Sequence, residues 1–302
     1  MKPMSDMGAR LRGAYTALVT PFRNGEVDER ALRELIEFQI ASGIDGLVPV
    51  GTTGESPTLT PEEHVRTIQI TVDAARKRVP VLAGAGSNST AEALHFCLAS
   101  KEAGADGVLV VAPYYNRPSQ KGMLLHFQAL LDAVDLPLVL YNIPSRTGVN
   151  VEPETIGRLR ANRRFAGVKE AAGSCDQVSR ILELCGPDFP VLSGDDSMTL
   201  PFMSVGAVGV ISVVSNVLPK DTVAMVHAQL EGRPAAALEL HRRLFPFMRA
   251  LFVETNPVPV KTALGLLGKC DPGVRPPLAP LEESGLARLK AAMKACGLGG
   301  SS

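Results

Sequence analysis

The sequence predicts an α/β protein that folds as a (β/α)8 TIM barrel with a C-terminal helical extension. Short apolar segments rich in β-branched residues occur eight times in the first two thirds of the chain, and helix-like segments lie between them. The predicted strands are residues 15–20, 46–50, 79–83, 107–112, 136–142, 165–171, 190–193 and 208–213. Consecutive apolar residues are typical of parallel strands covered on both faces, so eight of them favour a closed barrel over the alternative, a doubly wound open sheet.

The helices between these strands carry start signals. The first, residues 28–42, places its apolar side chains on one face. Residues 60–63, TPEE, supply an N-cap threonine, a proline at the first helical position and a capping glutamate. Ser89 and Ser174 begin segments with the same capping-box spacing. Strand and helix are therefore expected to alternate through the barrel.

Beyond about Ser215 the predicted strands stop. Four predicted helices follow, at residues 221–231, 235–252, 257–267 and 283–296. The first completes the barrel and the others form the extension. We therefore divide the chain into a barrel with the active site, residues 1–230, and a helical extension, residues 231–302.

The composition excludes several classes of protein. The 302 residues include 31 Lys plus Arg and 31 Asp plus Glu, so no nucleic-acid partner is expected. Residues 1–12 lack the apolar core of a signal peptide, and no later stretch is apolar for long enough to cross a bilayer. We expect no membrane association and a cytoplasmic location. The cysteines and histidines lack CxxC or HxxxH pairing, so no metal site is expected.

Lys169 is the most informative polar residue, because it interrupts an apolar strand near the strand's carboxyl end, where barrels of this kind place their active sites. Alternation puts Val168 and Lys169 on opposite faces, so Lys169 faces the barrel interior if Val168 packs against the helices. Burial would favour the neutral amine, which can attack a ketone. The alternative is a structural lysine paired with Glu170 or another acid.

Hydroxyl groups stand at the ends of several predicted strands. Three of the four tyrosines lie at the ends of strands four and five: Tyr114, Tyr115 and Tyr141. They either cap the barrel core or move protons in imine chemistry. The turn GTTG presents Thr52 and Thr53 after strand two, and it fits a bound carboxylate, a proton relay or an ordinary turn.

Charged residues follow two of these strands. Arg146 follows strand five and fits a carboxylate, although a lone loop arginine is also typical of a solvated charge. Asp195 and Asp196 follow strand seven, and we predict that they cap the next helix rather than bind a metal or act as acid and base. From these residues we expect an enzyme that holds a 2-oxo acid as an imine on Lys169 and makes or breaks a carbon–carbon bond.

Six motifs, in their order and spacing, resemble the dihydrodipicolinate synthase/N-acetylneuraminate lyase family of class I aldolases. They are GTTGES, YYNRPS, LYNIPSRTG, GVKEA, LSGDD and GVISV, and the resemblance covers residues 13–298. Within this family, the residue Arg146 and the motif YYNRPS resemble those of the synthase rather than those of N-acetylneuraminate lyase or 4-hydroxy-2-oxoglutarate aldolase. A different class of protein is also considered, namely a non-catalytic barrel that acts as a ligand sensor. Such a protein is expected to lose one or more of the motif residues Lys169, Tyr141, Thr52 and Tyr115, and all four are present.

The resemblance implies a reaction. Pyruvate forms a Schiff base on Lys169, and the resulting enamine attacks L-aspartate 4-semialdehyde to give 4-hydroxy-tetrahydrodipicolinate in lysine and diaminopimelate biosynthesis. No other cofactor is implied. The implied catalytic residues are Lys169, Tyr141, Thr52 and Tyr115, and the implied substrate-binding residues are Thr53, Arg146, Ile211 and Gly194.

The resemblance also implies an assembly and a regulatory site. The assembly is a homotetramer, a dimer of dimers, in which Tyr115 reaches the active site of a neighbouring subunit. The residues that match a lysine feedback site are Ser56, His64, Asn88, Glu92 and Tyr114. Pro61 stands where some inhibited members have histidine, so lysine inhibition is left open.

Overall fold

The computed structural model describes residues 10–298. Its ten strands are β1 Gly13–Ala17, β2 Phe22–Arg23, β3 Glu26–Val27, β4 Gly46–Val48, β5 Leu82–Gly84, β6 Gly107–Val111, β7 Leu138–Asn142, β8 Phe165–Glu170, β9 Val191–Ser193 and β10 Gly209–Ser212. Eight of them form one parallel sheet in the order β4-β1-β10-β9-β8-β7-β6-β5. A parallel bridge between Leu47 and Val81 joins its two edges. The predicted (β/α)8 barrel is confirmed.

Helices cover the outside of the sheet and continue after it. They are α1 Glu29–Ala41, α2 Pro61–Ala75, α3 Thr90–Glu102, α4 Gln120–Ala133, α5 Pro144–Thr147, α6 Pro153–Leu159, α7 Cys175–Cys185, α8 Thr199–Ser204, α9 Pro219–Leu230, α10 Pro234–Ala250, α11 Val258–Leu266 and α12 Glu283–Ala295. The helical extension is present as predicted. Thr60 forms the full capping box at the start of α2, and Ser89 and Ser174 cap α3 and α7.

Two apolar layers follow from strand alternation. Inward-facing side chains, among them Tyr15, Leu109 and Ile211, fill the barrel interior. Outward-facing side chains such as Val168 pack in the larger layer between the strands and the helices. Across residues 10–298, no helix combines the length and the apolar character that crossing a membrane requires. Residues 1–9, on which most of the expectation about a signal segment rests, lie outside the described residues.

Each of the eight barrel strands differs from its predicted bounds by one to three residues at one end or both. In two of them the difference follows from groups that periodicity does not show. The first strand was predicted to reach Thr20, but the Val19 amide donates to the Asn216 side chain at 3.2 Å instead of to a neighbouring strand. The third was predicted from Val79, but it pairs regularly only from Leu82. Pro80 has no N–H, and it contributes only its carbonyl, which accepts a hydrogen bond from Leu47.

Candidate active site

Lys169 lies inside the mouth of the barrel, near the carboxyl end of β8. Val168 packs in the outer layer, so alternation turns Lys169 inward, where only 6% of the residue is exposed. Burial lowers the pKa of the Lys169 amine to about 7; the Arg146 charge lowers it further and the Asp196 charge opposes the shift. Among residues 10–298 Lys169 forms no ion pair, and Glu170 points to the other face of the strand.

Tyr141 lies beside Lys169 on the neighbouring strand. The register of β7 and β8 pairs Tyr141 with Lys169, and the Lys169 Nζ lies 4.0 Å from the centroid of the Tyr141 ring. Burial raises the pKa of the Tyr141 phenol, and the charges of Asp195 and Glu170 raise it further. The phenol is therefore protonated at neutral pH and can donate a proton next to the amine.

Two cavities lie at this end of the barrel and share Ile143 and Arg146; Tyr141 lines the first of them, and Lys169 lines neither. The first, of about 220 Å³, is lined by Thr52, Tyr114 and Tyr141 among others. The second, of about 450 Å³, is lined by residues that include Gly194 and Asp195. A methyl group added at Gly194 would lie 3.1 Å from the Lys169 Cε, so the lysine passes close to the wall of the second cavity.

Thr53 and Arg146 are held by the same residue of the helical extension. The Asn256 side chain donates from Nδ2 to the Thr53 Oγ1 at 3.0 Å, and the Arg146 Nη2 donates to the Asn256 carbonyl at 3.3 Å. Asn256 is buried. Thr53 accepts this bond, so its own hydroxyl hydrogen remains available to donate; Thr53 is itself buried and lines neither cavity.

Tyr115 and Ile211 are placed differently from the other predicted residues. Tyr115 has a positive φ of 71° and is 90% exposed, and it lines neither cavity. Within a single chain it therefore does not join Lys169 and Tyr141. Ile211 is buried in the barrel interior on β10, where it pairs with Tyr15 of β1.

The residues matched to a feedback site lie around the start of α3 and the end of β5. His64 is buried, its Nε2 lies 2.8 Å from the Gly84 carbonyl, and its ring stacks on Phe96. Ser56 and Tyr114 line the first cavity, and the Ser56 hydroxyl lies 3.5 Å from the His64 Nδ1. The other two members, Asn88 and Glu92, flank the N-cap of α3.

The paired acids after β9 both accept hydrogen bonds from backbone amides. Asp195 caps the turn Asp196–Met198 by accepting from the Ser197 amide at 2.9 Å, as predicted. Asp196 is buried and instead accepts from the amides of Val213 and Val214 after β10. It therefore joins the ends of two strands next to Lys169.

Sequence reasoning missed the residues that support the GTTG turn from outside. Glu55, which follows the turn, accepts a hydrogen bond from Lys261 of α11 at 2.6 Å, and both side chains are fully buried. The second Glu55 oxygen accepts from the Arg275 amide at 3.1 Å. The sequence signal was a lysine within the apolar segment VPVKTAL, which has the same character as Lys169 in its strand.

Fold and site together define a TIM-barrel enzyme with a buried lysine and tyrosine at the carboxyl ends of its strands. The Dihydrodipicolinate synthetase family model matches residues 10–296. The chain belongs to the dihydrodipicolinate synthetase family, and it is a lyase that forms a carbon–carbon bond. The prediction of this family is confirmed.

Known relatives cover nearly the whole chain. The 4-hydroxy-tetrahydrodipicolinate synthase of Syntrophus aciditrophicus (strain SB) is 55% identical over 287 residues, which are 95% of this chain and 99% of that protein. The structure of the 4-hydroxy-tetrahydrodipicolinate synthase from the thermoacidophilic methanotroph Methylacidiphilum fumariolicum SolV matches with a TM-score of 0.94 and 51% identity, over 95% of this chain and 96% of that one. The chloride inhibited dihydrodipicolinate synthase from Acinetobacter baumannii, solved in complex with pyruvate, matches with a TM-score of 0.93 and 39% identity, over 95% and 99% of the two chains. These relatives favour the synthase over the lyase, the other aldolase and the ligand sensor.

Proposed function

We propose that this chain is a 4-hydroxy-tetrahydrodipicolinate synthase, which condenses pyruvate with L-aspartate 4-semialdehyde in lysine and diaminopimelate biosynthesis. One observation carries the proposal: a buried lysine, which has no ion-pair partner within the described part of the chain and a pKa of about 7, lies 4.0 Å from the ring of a buried tyrosine. A neutral amine at physiological pH is what imine formation requires. The names of the closely similar relatives support the choice of substrates.

The first half of the reaction forms an imine. The Lys169 Nζ attacks the C2 carbonyl of pyruvate to give a carbinolamine, which loses water to become the iminium. The Tyr141 phenol donates the proton that lets the carbinolamine oxygen leave as water. The Tyr141 phenolate then accepts a proton from C3, and the electron pair of that C–H bond forms the C2–C3 double bond of the enamine, whose nitrogen is that of Lys169. The lysine thus serves in place of a cofactor.

Pyruvate is held by groups that face its carboxylate. In this scheme the Thr53 hydroxyl donates to the carboxylate, because its oxygen already accepts from Asn256. The backbone of Ile211 contributes a second contact, and Gly194 leaves room for the substrate beside Lys169. The carboxylate is then fixed while C2 faces the amine.

The second half of the reaction joins the two substrates. The enamine C3 attacks the aldehyde carbon of the semialdehyde, which forms the carbon–carbon bond and leaves an alkoxide that takes up a proton. Arg146, which borders both cavities, binds the carboxylate of the semialdehyde. The amine of the semialdehyde then attacks the iminium carbon, closes the ring and releases Lys169.

The proton relay is completed by association of chains. Thr52 and Tyr141 line one cavity, and we assign Tyr115 from a second copy of the chain as the third member of the relay. Its 90% exposure in a single chain leaves the ring accessible to a partner. The full proposal is a cytoplasmic homotetramer, a dimer of dimers, with each relay shared between two chains.

Borohydride trapping tests the proposal. Pyruvate plus borohydride should convert the imine to a stable secondary amine on Lys169, located by peptide mass spectrometry. The Lys169→Arg variant should show no adduct and no turnover. A wild-type protein that remains unlabelled would refute the imine.

A comparison of substrates tests the choice of aldehyde. Turnover with L-aspartate 4-semialdehyde should exceed turnover with sugar acids and with 4-hydroxy-2-oxoglutarate. The reverse order would assign the chain to a related aldolase.

A further inference from the structure

Behind the catalytic pair lies a second residue pair that faces the opposite way. The register that pairs Tyr141 with Lys169 also pairs Asn142 with Glu170, at the last positions of β7 and β8. Alternation turns the first pair into the barrel and the second pair outward. Asn142 and Glu170 are both fully buried.

The Glu170 carboxylate accepts hydrogen bonds only. Asn142 donates from Nδ2 to both Glu170 oxygens at 3.1 Å, Gln177 of α7 donates to Oε2 at 2.9 Å, and the Ala172 amide donates to Oε1 at 2.7 Å. A carboxylate surrounded by donors in this way is suited to the ionised form. Burial raises the pKa of Glu170, and these donors oppose that shift.

The amide hydrogens around Glu170 are fully used. Asn142 and Gln177 each donate their remaining N–H to the Asn150 Oδ1, at 2.8 and 3.1 Å, and the Asn150 Nδ2 returns a bond to the Gln177 Oε1 at 2.8 Å. The Asn142 Oδ1 accepts from the Val151 amide at 3.0 Å. The network therefore has one arrangement of donors and acceptors, and it ends on the Glu170 carboxylate.

Glu170 makes no ion pair among residues 10–298, although a buried carboxylate is costly to desolvate. Stability alone would be served equally well by an apolar pair at the same place. The network ties α7 and the segment of Asn150 and Val151 to the end of the β7–β8 ladder, next to the reacting groups.

We propose that Glu170 is a positioning residue, whose carboxylate, bonded to Asn142 and Gln177, holds β7 and β8 in the register that places the Lys169 Nζ beside Tyr141. This inference rests on the proposed function of Lys169. Glu170 does not touch the substrate cavities, and it acts only through the strands that carry the catalytic pair.

The Glu170→Gln variant tests this role, because it places an NH2 group against the donors of Asn142 and Gln177. In folded protein, labelling of Lys169 with pyruvate and borohydride should be at least about tenfold slower, and kcat should fall by about 10- to 100-fold. The KM for the semialdehyde should change by less than about threefold, because Arg146 is not disturbed. A role in stability alone would lower the melting temperature and leave the labelling rate of folded chains unchanged.

The Asp45→Asn variant is the matched control. It makes the same carboxylate-to-amide change at the other end of the barrel, where Asp45 accepts from the Ala14 amide at 2.7 Å. Its labelling rate should equal that of the wild type. If wild-type Lys169 is not labelled, the proposed function fails; if wild type and Glu170→Gln are labelled at the same rate, only the positioning role fails.

A milder variant decides the question if Glu170→Gln does not fold. Gln177→Met, at a half-buried position, removes one donor to Glu170 together with the two hydrogen bonds between Gln177 and Asn150, and it keeps the volume of the side chain. It should slow labelling by about threefold or more, because the Glu170 carboxylate loses one of its donors. Labelling at the wild-type rate would overturn the proposal.

Discussion

Glu55 and Lys261 form a fully buried ion pair, with 2.6 Å between the Glu55 Oε1 and the Lys261 Nζ, although 206 residues separate them in the chain. The pair joins the turn that carries Thr52 and Thr53 to α11 of the helical extension. Burial lowers the pKa of Lys261, and the Glu55 carboxylate opposes that shift. The catalytic face of the barrel is thus supported by residues that are remote in sequence.

Loss of the Lys261 charge should destabilise the whole protein. Lys261→Met leaves the Glu55 carboxylate buried without a cation, so the free energy of unfolding should fall by about 3–5 kcal/mol. Urea unfolding followed by circular dichroism measures this change. The exposed Lys220 of α9 offers the control, because Lys220→Met should change stability by less than about 0.5 kcal/mol. A similar loss in both variants would contradict the role of the buried pair.

The rate of imine formation should depend on pH through Lys169. In the proposed reaction only the neutral amine can attack pyruvate, and burial lowers the Lys169 pKa from 10.5 to about 7. The rate of borohydride-trapped labelling should therefore rise with pH, reach half of its maximum near pH 7 and then level off. A rate that continues to rise above about pH 9 would indicate a lysine with an ordinary pKa.

Replacing Arg146 should weaken binding of the semialdehyde without preventing the reaction with pyruvate. Arg146→Gln removes the charged group that we propose as the partner of the semialdehyde carboxylate. A hydrogen bond to a charged group contributes about 1.5–3 kcal/mol, so the KM for the semialdehyde should rise by about 10- to 100-fold. Labelling with pyruvate alone should persist. Its pH midpoint should move upward, because the Arg146 charge lowers the Lys169 pKa. Arg158→Gln, at an exposed position of α6, is the control and should leave this KM unchanged. An unchanged KM in Arg146→Gln would contradict a role of Arg146 in binding the semialdehyde.

Gly194 should be intolerant of a methyl group. A Cβ at this position would lie 2.9 Å from the Ala171 Cβ and 3.1 Å from the Lys169 Cε, so the lysine chain must move. Gly194→Ala should therefore slow labelling of Lys169 by about tenfold or more in protein that remains folded. Gly157→Ala on α6 brings its Cβ to 3.2 Å from the Leu184 Cβ, away from the site, and should leave labelling unchanged. Equal labelling rates in Gly194→Ala and Gly157→Ala would contradict the predicted clash between the added methyl group and Lys169.

Local sequence patterns were sufficient to predict the barrel, and they predicted the inward direction of Lys169 on the condition that Val168 packs against the helices. Alternation along the strand predicted that Val168 and Lys169 face opposite sides, and the residues of the first turn predicted where the capped helices begin. The hairpin of β2 and β3 was missed, although Asn24 and Gly25, with φ values of 54° and 84°, form the Asn-Gly turn that is typical of such hairpins.

The supporting contacts of the site could not be predicted in the same way. Asn256 reaches Thr53 across 203 residues, and Lys261 reaches Glu55 across 206. No local pattern encodes such a pairing, because it depends on how the extension folds back onto the barrel. Glu170 was identified only as a partner of Lys169, and its actual partners, Asn142 and Gln177, become neighbours only once the β7–β8 register is known.

The contacts of the extension also bear on the order in which the protein matures during synthesis. The ribosome releases the barrel strands first, and domains begin to fold as they emerge. At that stage Glu55 has no cation and Thr53 has no donor, because Asn256 and Lys261 have not yet been made. The newly made barrel thus holds its reactive lysine before the turn beside it is secured. Competence for catalysis is expected to arrive last, with the final helices of the chain.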